Sequence, residues 1–190
     1  MFFSCILCPK IVFVLYVKMG GIVSNRDATR AVVVLGYGEV GRAFGVQIEE
    51  AGVTPTYVDP IAEGAKNGRR VLGAFPAELS SGTLVLGAVP SATALSVAQD
   101  LAARDDDFLY VDLSSSSLDM MRDCASAFEG KQARFVDGAI MGSVDLAGAA
   151  SPILLSGPDA DRAAKWLNEF GFSVDLLPAS QAGDACGVKL

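Results

Sequence analysis

The 190-residue chain contains no histidine. That absence excludes a Ser-His-Asp triad, a Cys-His pair and any histidine-ligated metal site. Whatever chemistry occurs must run on lysine, carboxylates, hydroxyls or a bound cofactor. Cysteine is scarce: Cys5 and Cys8 form a C-x-x-C inside an apolar N-terminal run, while Cys124 and Cys186 stand apart. No further ligands accompany them, so no metal is expected, and free thiols in a reducing cytoplasm are the reading. Positive charge is in deficit, with 15 Lys plus Arg against 22 Asp plus Glu and a net charge of −7. A phosphate-backbone binder carries the opposite balance, so no nucleic-acid partner is expected. With only 19% charged residues and 51% hydrophobic ones, disorder is excluded. At this length the chain makes one domain with a real core.

No apolar run reaches the roughly 20 residues of a spanning helix. Phe2 to Val17 comes nearest, but Pro9 and Lys10 break it. Its lysines lie within and after the run, whereas a signal peptide has its positive charge in front. Residues 1–28 are therefore read as an extension outside the fold, with Met19 a natural alternative start. A weak membrane or targeting segment and a packed segment are the alternatives. Stable membrane insertion is not expected.

From Arg30 onward the pattern is regular. Ala31 to Leu35 is a β-branched run of the kind buried on both faces of a sheet. A helix is predicted over Glu39 to Glu50, and strands at Thr54–Val58, Thr83–Ala88, Phe108–Leu113, Ala133–Ala139, Pro152–Ser156 and Ser173–Leu177. Further helices are predicted from Ser91 to about Ala103, from the serine run at 114–117 to about Glu129 with Ser117 as N-cap, and between Asp159 and Phe170. Trp166, Leu167 and Phe170 read as a core face. Asp105 to Asp107 read as a solvated turn. Strands alternating with such helices imply an α/β fold, a Rossmann-type doubly wound and mostly parallel sheet. Residues 29–178 would form this dinucleotide-binding domain and 179–190 the start of a further helix.

Gly36-Tyr37-Gly38-Glu39-Val40-Gly41 is G-x-G-x-x-G between the first strand and the first helix. Gly36 permits the tight turn, Gly38 lets the backbone approach a pyrophosphate, and Gly41 lets helix and strand pack closely. The helix N-terminus adds unpaired N–H groups and partial positive charge. Asp59 ends the second predicted strand, where a carboxylate accepts both ribose hydroxyls of NAD and repels an adenosine 2′-phosphate. NAD is the expected cofactor. NADP is the alternative, with Arg69 or Arg70 as phosphate ligands if they are not solvated loop charges.

These features, with four further patterns, resemble the β-hydroxyacid dehydrogenases, which include 3-hydroxyisobutyrate and 6-phosphogluconate dehydrogenases. Val89-Pro90 is similar to the family's apolar-Pro turn beside the cofactor. Asp112-Leu113-Ser114-Ser115 resembles its Asp-x-Ser-Thr segment, which implies a hydroxyl of Ser114 or Ser115 near the nicotinamide. Asp137 to Ser143 stands where the family has Asp-Ala-Pro-Val-Ser-Gly-Gly, implying a substrate-binding segment at Met141, Gly142 and Ser143. Gly183 to Lys189 resembles Gly-x-Gly-x-x-x-Lys, with Ala185 for the second glycine. Pro152 to Pro158 and Met141 look most like the phosphogluconate-dehydrogenase-like branch. The resemblance implies oxidation of a small hydroxy acid by hydride transfer to nicotinamide. Lys189 would be the catalytic group, its ammonium holding the substrate oxygen and its neutral form accepting the proton. Near neutral pH a lysine does this when burial or a neighbouring cation lowers its pKa.

Two departures shape the expectation. Met141 replaces the family's carboxylate-holding serine and cannot donate a strong hydrogen bond; Ser143 is the alternative donor. The sequence ends one residue past Lys189, without the family's helical domain, which closes the substrate site and usually mediates dimerisation. The expectation is an NAD(P)-dependent oxidoreductase domain with little activity alone, an exposed apolar face, and homodimerisation only in the longer family form. The alternatives are a non-catalytic, truncated dinucleotide-binding module and, more remotely, a methyltransferase, which leaves the Gly183–Lys189 pattern unexplained.

Overall fold

The computed structural model describes residues 31–189; the N-terminal extension, with Cys5 and Cys8, lies outside the described residues. In chain order the elements are β1 (Val32–Leu35), α1 (Glu39–Glu50), β2 (Thr56–Val58), β3 (Gly64–Lys66), β4 (Arg69–Leu72), β5 (Thr83–Gly87), α2 (Ser91–Ala102) and β6 (Phe108–Asp112). They continue with α3 (Leu118–Ala127), β7 (Arg134–Ile140), α4 (Val144–Ala147), a 3-10 turn, β8 (Ile153–Ser156), α5 (Ala160–Glu169), β9 (Val174–Leu176) and α6 (Asp184–Lys189). The strands form one nine-stranded sheet in the order β3-β4-β2-β1-β5-β6-β7-β8-β9. From β4 to β7 every pairing is parallel, while β3 and β8 run antiparallel to β4 and β7. The expected doubly wound, mostly parallel sheet is what forms.

The two-residue period of the strands divides the core. Val32, Val34, Leu84, Leu86, Leu109 and Val111 face one layer, with Phe44 and Ile48 of α1 and Leu167 of α5. Val33, Leu35, Val85, Phe108 and Tyr110 face the other, with Ala98 of α2, Met121 and Cys124 of α3, and Ala185 and Cys186 of α6. Both faces are covered, which is why β1 and β5 are continuous apolar runs without alternation. Trp166 is partly buried against the first layer and Phe170 fully buried.

The β3–β4 hairpin was not anticipated, although its signal was present. Asn67 and Gly68 both have positive φ, 50° and 75°, and Asn-Gly is the preferred pair for a two-residue hairpin turn. Arg69 is consequently a strand residue and not a loop charge. Its guanidinium binds the Glu49 carboxylate at the end of α1, with Nε 2.7 Å from Oε1, and Tyr57 Oη donates to the same oxygen at 2.8 Å. The acidic turn is also less free than expected: Arg104 donates to Asp106, and Ser81 to Asp107. Ser117 caps α3, its Oγ accepting from Met120 N.

Candidate functional site

The chain order reverses between β1 and β5, and in an open α/β sheet such a switch point at the carboxyl ends of the strands is where ligands bind. The glycine turn lies there. Gly36 N donates to Val58 O at 2.8 Å and Ala88 N to Leu35 O at 2.7 Å, so the turn is held between the ends of β2 and β5. Gly36 has φ +95°, and a Cβ on it would lie 2.3 Å from Ala88 O. A Cβ on Gly41 would lie 1.9 Å from Gly36 O, the close helix–strand approach expected there. Gly38 differs: a Cβ on it would have no neighbour within 4 Å. It is also the N-cap of α1, and no side chain caps that helix. Open space therefore faces uncapped amides, a setting suited to a diphosphate.

Asp59 anchors this turn as well as facing it. Tyr37 N donates to Oδ2 at 2.8 Å, and Ile61 N and Ala62 N donate to Oδ1 at 2.8 and 3.0 Å. Burial pushes the carboxyl upward, but the three amide donors outweigh it and hold Asp59 below its ordinary value. A carboxylate offers about four lone-pair positions, so three bound amides leave room for about one ribose hydroxyl. The negative charge of Asp59 remains beside the turn.

Glu39, in the first turn of α1, bonds through its side chain to Asp145 of α4, which pushes the Glu39 carboxyl up. Two acids thus meet at the glycine turn. Sequence reading identified Glu39 but missed Asp145, because α4 is too short to announce itself. Val89 is half-buried against the second layer, and Pro90 is the exposed N-cap of α2.

The two candidate serines separate. Ser114 is buried, its Oγ 3.0 Å from Ser116 Oγ and its N donating to Asp112 Oδ1 at 2.7 Å. Ser115 is exposed, and Lys189 Nζ donates to its Oγ at 2.9 Å. The fold thus brings Ser115, and not Ser114, to Lys189. Met141 and Gly142 are exposed at the end of β7; Ser143 caps α4 without a side-chain bond, and Ser143 O accepts from Ser151 Oγ at 3.3 Å. Among the described residues, no hydrogen bond joins this loop to Lys189. Large apolar side chains exposed among the described residues include Met141, Leu146 and Val188.

Beneath Ser115 and Lys189 are groups that the sequence did not single out as functional. Tyr110 Oη donates to Asp112 Oδ2 at 2.7 Å. Burial pushes the Asp112 carboxyl up, against the lowering effect of its Ser114 and Tyr110 donors. Next to it in parallel register lies Asp137, fully buried on β7. Asp137 Oδ2 accepts from Ser156 Oγ at 2.9 Å and from Gly183 N and Cys186 N at 3.1 Å each. Burial, chiefly, drives the Cys186 and Cys124 thiols up to about 12, so neither is a thiolate at neutral pH. Among the described residues there is no metal-holding cluster and no helix long and apolar enough to cross a membrane.

No family model and no curated protein matches the chain. Solved structures do. One is a conserved protein of unknown function with structural similarity to 3-hydroxyacid dehydrogenases: 28% identical, TM-score 0.69, aligned over 84% of this chain and 61% of its own. An imine reductase from Aspergillus terreus in complex with NADPH4 is 23% identical with TM-score 0.68, over 84% and 58%. The 3-hydroxyisobutyrate dehydrogenase of Mycobacterium tuberculosis with L-serine is 20% identical with TM-score 0.66, over 84% and 57%. The chain therefore spans less than two thirds of the length of these structures. Over that part, its fold is similar to that of 3-hydroxyacid-dehydrogenase-like proteins.

Proposed function

We propose that the chain is the nucleotide-binding part of an NAD(P)-dependent oxidoreductase of the 3-hydroxyacid dehydrogenase type, with NAD preferred. The observation that carries the reading is the Lys189–Ser115 hydrogen bond, which unites two residues chosen from separate motifs. The uncapped α1 amides over Gly38 would hold the diphosphate, and Asp59 would take a ribose hydroxyl. Two observations support NAD over NADP: the Asp59 charge at the turn, and Arg69 being engaged by Glu49. A bound nicotinamide supplies the hydride acceptor. Lys189 as the neutral amine would take the hydroxyl proton of a small hydroxy acid as its carbinol hydride passes to the nicotinamide, and the ammonium so formed would hold the new carbonyl oxygen. Ser115 limits the directions in which Nζ points. Met141, Gly142 and Ser143 would line the substrate side, with the Ser143 hydroxyl the available donor there.

A second reading, a dinucleotide-binding module without turnover, is favoured by two features. Lys189 is exposed in the described chain, and Met141 stands where a hydrogen-bonding side chain is needed. The test is a fluorescence titration of the purified chain with NADH and with NADPH. Saturable binding with NADH preferred is expected; binding of neither overturns both readings. An NADH-binding chain that never oxidises 3-hydroxy acids, even in a longer form of the protein, leaves the module.

A further inference from the structure

Resting on that functional reading, the geometry points to Asp112 and Asp137 as a paired positioning unit that sets the Lys189–Ser115 contact from the floor of the sheet. The two carboxylates are register partners on adjacent parallel strands, and both are fully buried. Each holds one side of the contact. Asp112 accepts Ser114 N and so fixes the loop that presents Ser115. Asp137 fixes the short helix that presents Lys189, accepting Gly183 N and Cys186 N. Ser156, which donates to Asp137, accepts Ala185 N at 3.0 Å. The Ala185 and Cys186 amides in the first turn of α6 thus end on the buried Asp137 carboxyl and its bound hydroxyl.

The two halves are also stitched to each other. Cys186 Sγ lies 3.0 Å from Asp137 Oδ1 and 3.7 Å from Ser114 O, reaching from the lysine helix to the serine loop. Gly183 leaves no slack, since a Cβ there would be 2.8 Å from Leu118 O of α3. A six-residue helix has little stability of its own, so its placement depends on these bonds. Neither aspartate touches the reacting groups, and both act through the residues they hold.

The test reads Lys189 directly. In the full chain, lysines are reductively methylated with 13C-formaldehyde, and the Lys189 signal is assigned by its loss in Lys189→Arg. Ser115→Ala supplies the position of a lysine without its serine. In Asp137→Ala the Lys189 signal is expected to move to that position, and in Asp137→Asn, which keeps an oxygen acceptor for the α6 amides, to return toward wild type. A merely structural role lowers Tm without moving the signal. Where Asp137→Ala does not fold, Ser156→Ala, which removes the hydroxyl between Asp137 and Ala185 N and leaves the Gly183 and Cys186 bonds to Asp137, carries the same expectation. A Lys189 signal unchanged in the folded variants overturns the positioning unit. An NADH titration of the wild-type chain keeps the two failures apart: absence of NADH binding overturns the functional reading, whatever the lysine signal does.

Discussion

Lys189 and Ser115, 74 residues apart in the chain, meet through a 2.9 Å hydrogen bond from ammonium to hydroxyl at the carboxyl-end edge of the sheet. Both side chains are exposed. Their substitution by alanine is expected to change stability by no more than about 0.5 kcal/mol. NADH affinity should be unaffected in Lys189→Ala. In a longer form of the protein that turns over a 3-hydroxy acid, Lys189→Ala should lower kcat roughly a hundredfold or more, measured as nicotinamide absorbance with time.

Gly36 and Gly38 are expected to fail in different ways. Alanine at Gly36 must adopt φ +95° with its Cβ 2.3 Å from Ala88 O. A loss of roughly 3 kcal/mol is expected in a denaturant titration, combining left-handed strain with overpacking. Alanine at Gly38 meets nothing within 4 Å and has an extended backbone. Its stability should lie within about 1 kcal/mol of wild type, while NADH binding weakens because the new methyl faces the diphosphate.

Asp59→Asn tests cofactor choice. The variant loses the charge that disfavours a 2′-phosphate, so the ratio of NADH to NADPH affinity should fall about tenfold, or ~1.4 kcal/mol. It also trades one acceptor oxygen for an amide beside the donors Tyr37 N, Ile61 N and Ala62 N, so Tm should fall as well. The Asp59 carboxyl lies below its ordinary value of 3.8 when folded. Its contribution to stability is therefore present above pH 3.8 and lost as pH falls through the folded value. Unchanged cofactor preference in Asp59→Asn would remove the Asp59 charge as a reason for favouring NAD.

Arg69→Met should leave NADPH affinity as it is, because the guanidinium is already bound to Glu49. The pair is partly solvent-exposed, so the loss of stability should be roughly 1 kcal/mol at most. Arg69, chiefly, holds the Glu49 carboxyl below 4.5. The sign follows: the difference between variant and wild type is present above pH 4.5 and disappears as pH falls through the folded value. Urea titrations at two pH values decide it.

NADH affinity should also depend on the acid pair at the turn. The Glu39 carboxyl, bonded to Asp145, is raised above 4.5. Its proton is held below that raised value and lost as pH rises through it, leaving the Glu39 charge beside the diphosphate. Affinity should therefore increase on acidification through this range, and Glu39→Gln should flatten the dependence. A dependence unchanged in Glu39→Gln would assign it elsewhere.

Much of this architecture was legible in the chain because it rests on local rules. β-branched runs such as Val32 to Leu35 mark strands buried on both faces, and α1 begins and ends where its pattern predicts. The turn at Gly36 was legible because only glycine tolerates its backbone. The hairpin at Asn67-Gly68 was equally local and was passed over because its strands, Gly64–Lys66 and Arg69–Leu72, carry charge and no alternation.

By itself the sequence determined the alternation of strands and helices, the position of the glycine turn and the residue types available for chemistry, since periodicity and the absence of histidine are properties of the chain. Only the tertiary structure decided which serine meets Lys189, which arginine is engaged, and what holds α6 in place. Those outcomes depend on parallel strand register: Asp112 beside Asp137 brings two distant carboxylates under one contact, and register is a non-local pairing that no short window of sequence encodes.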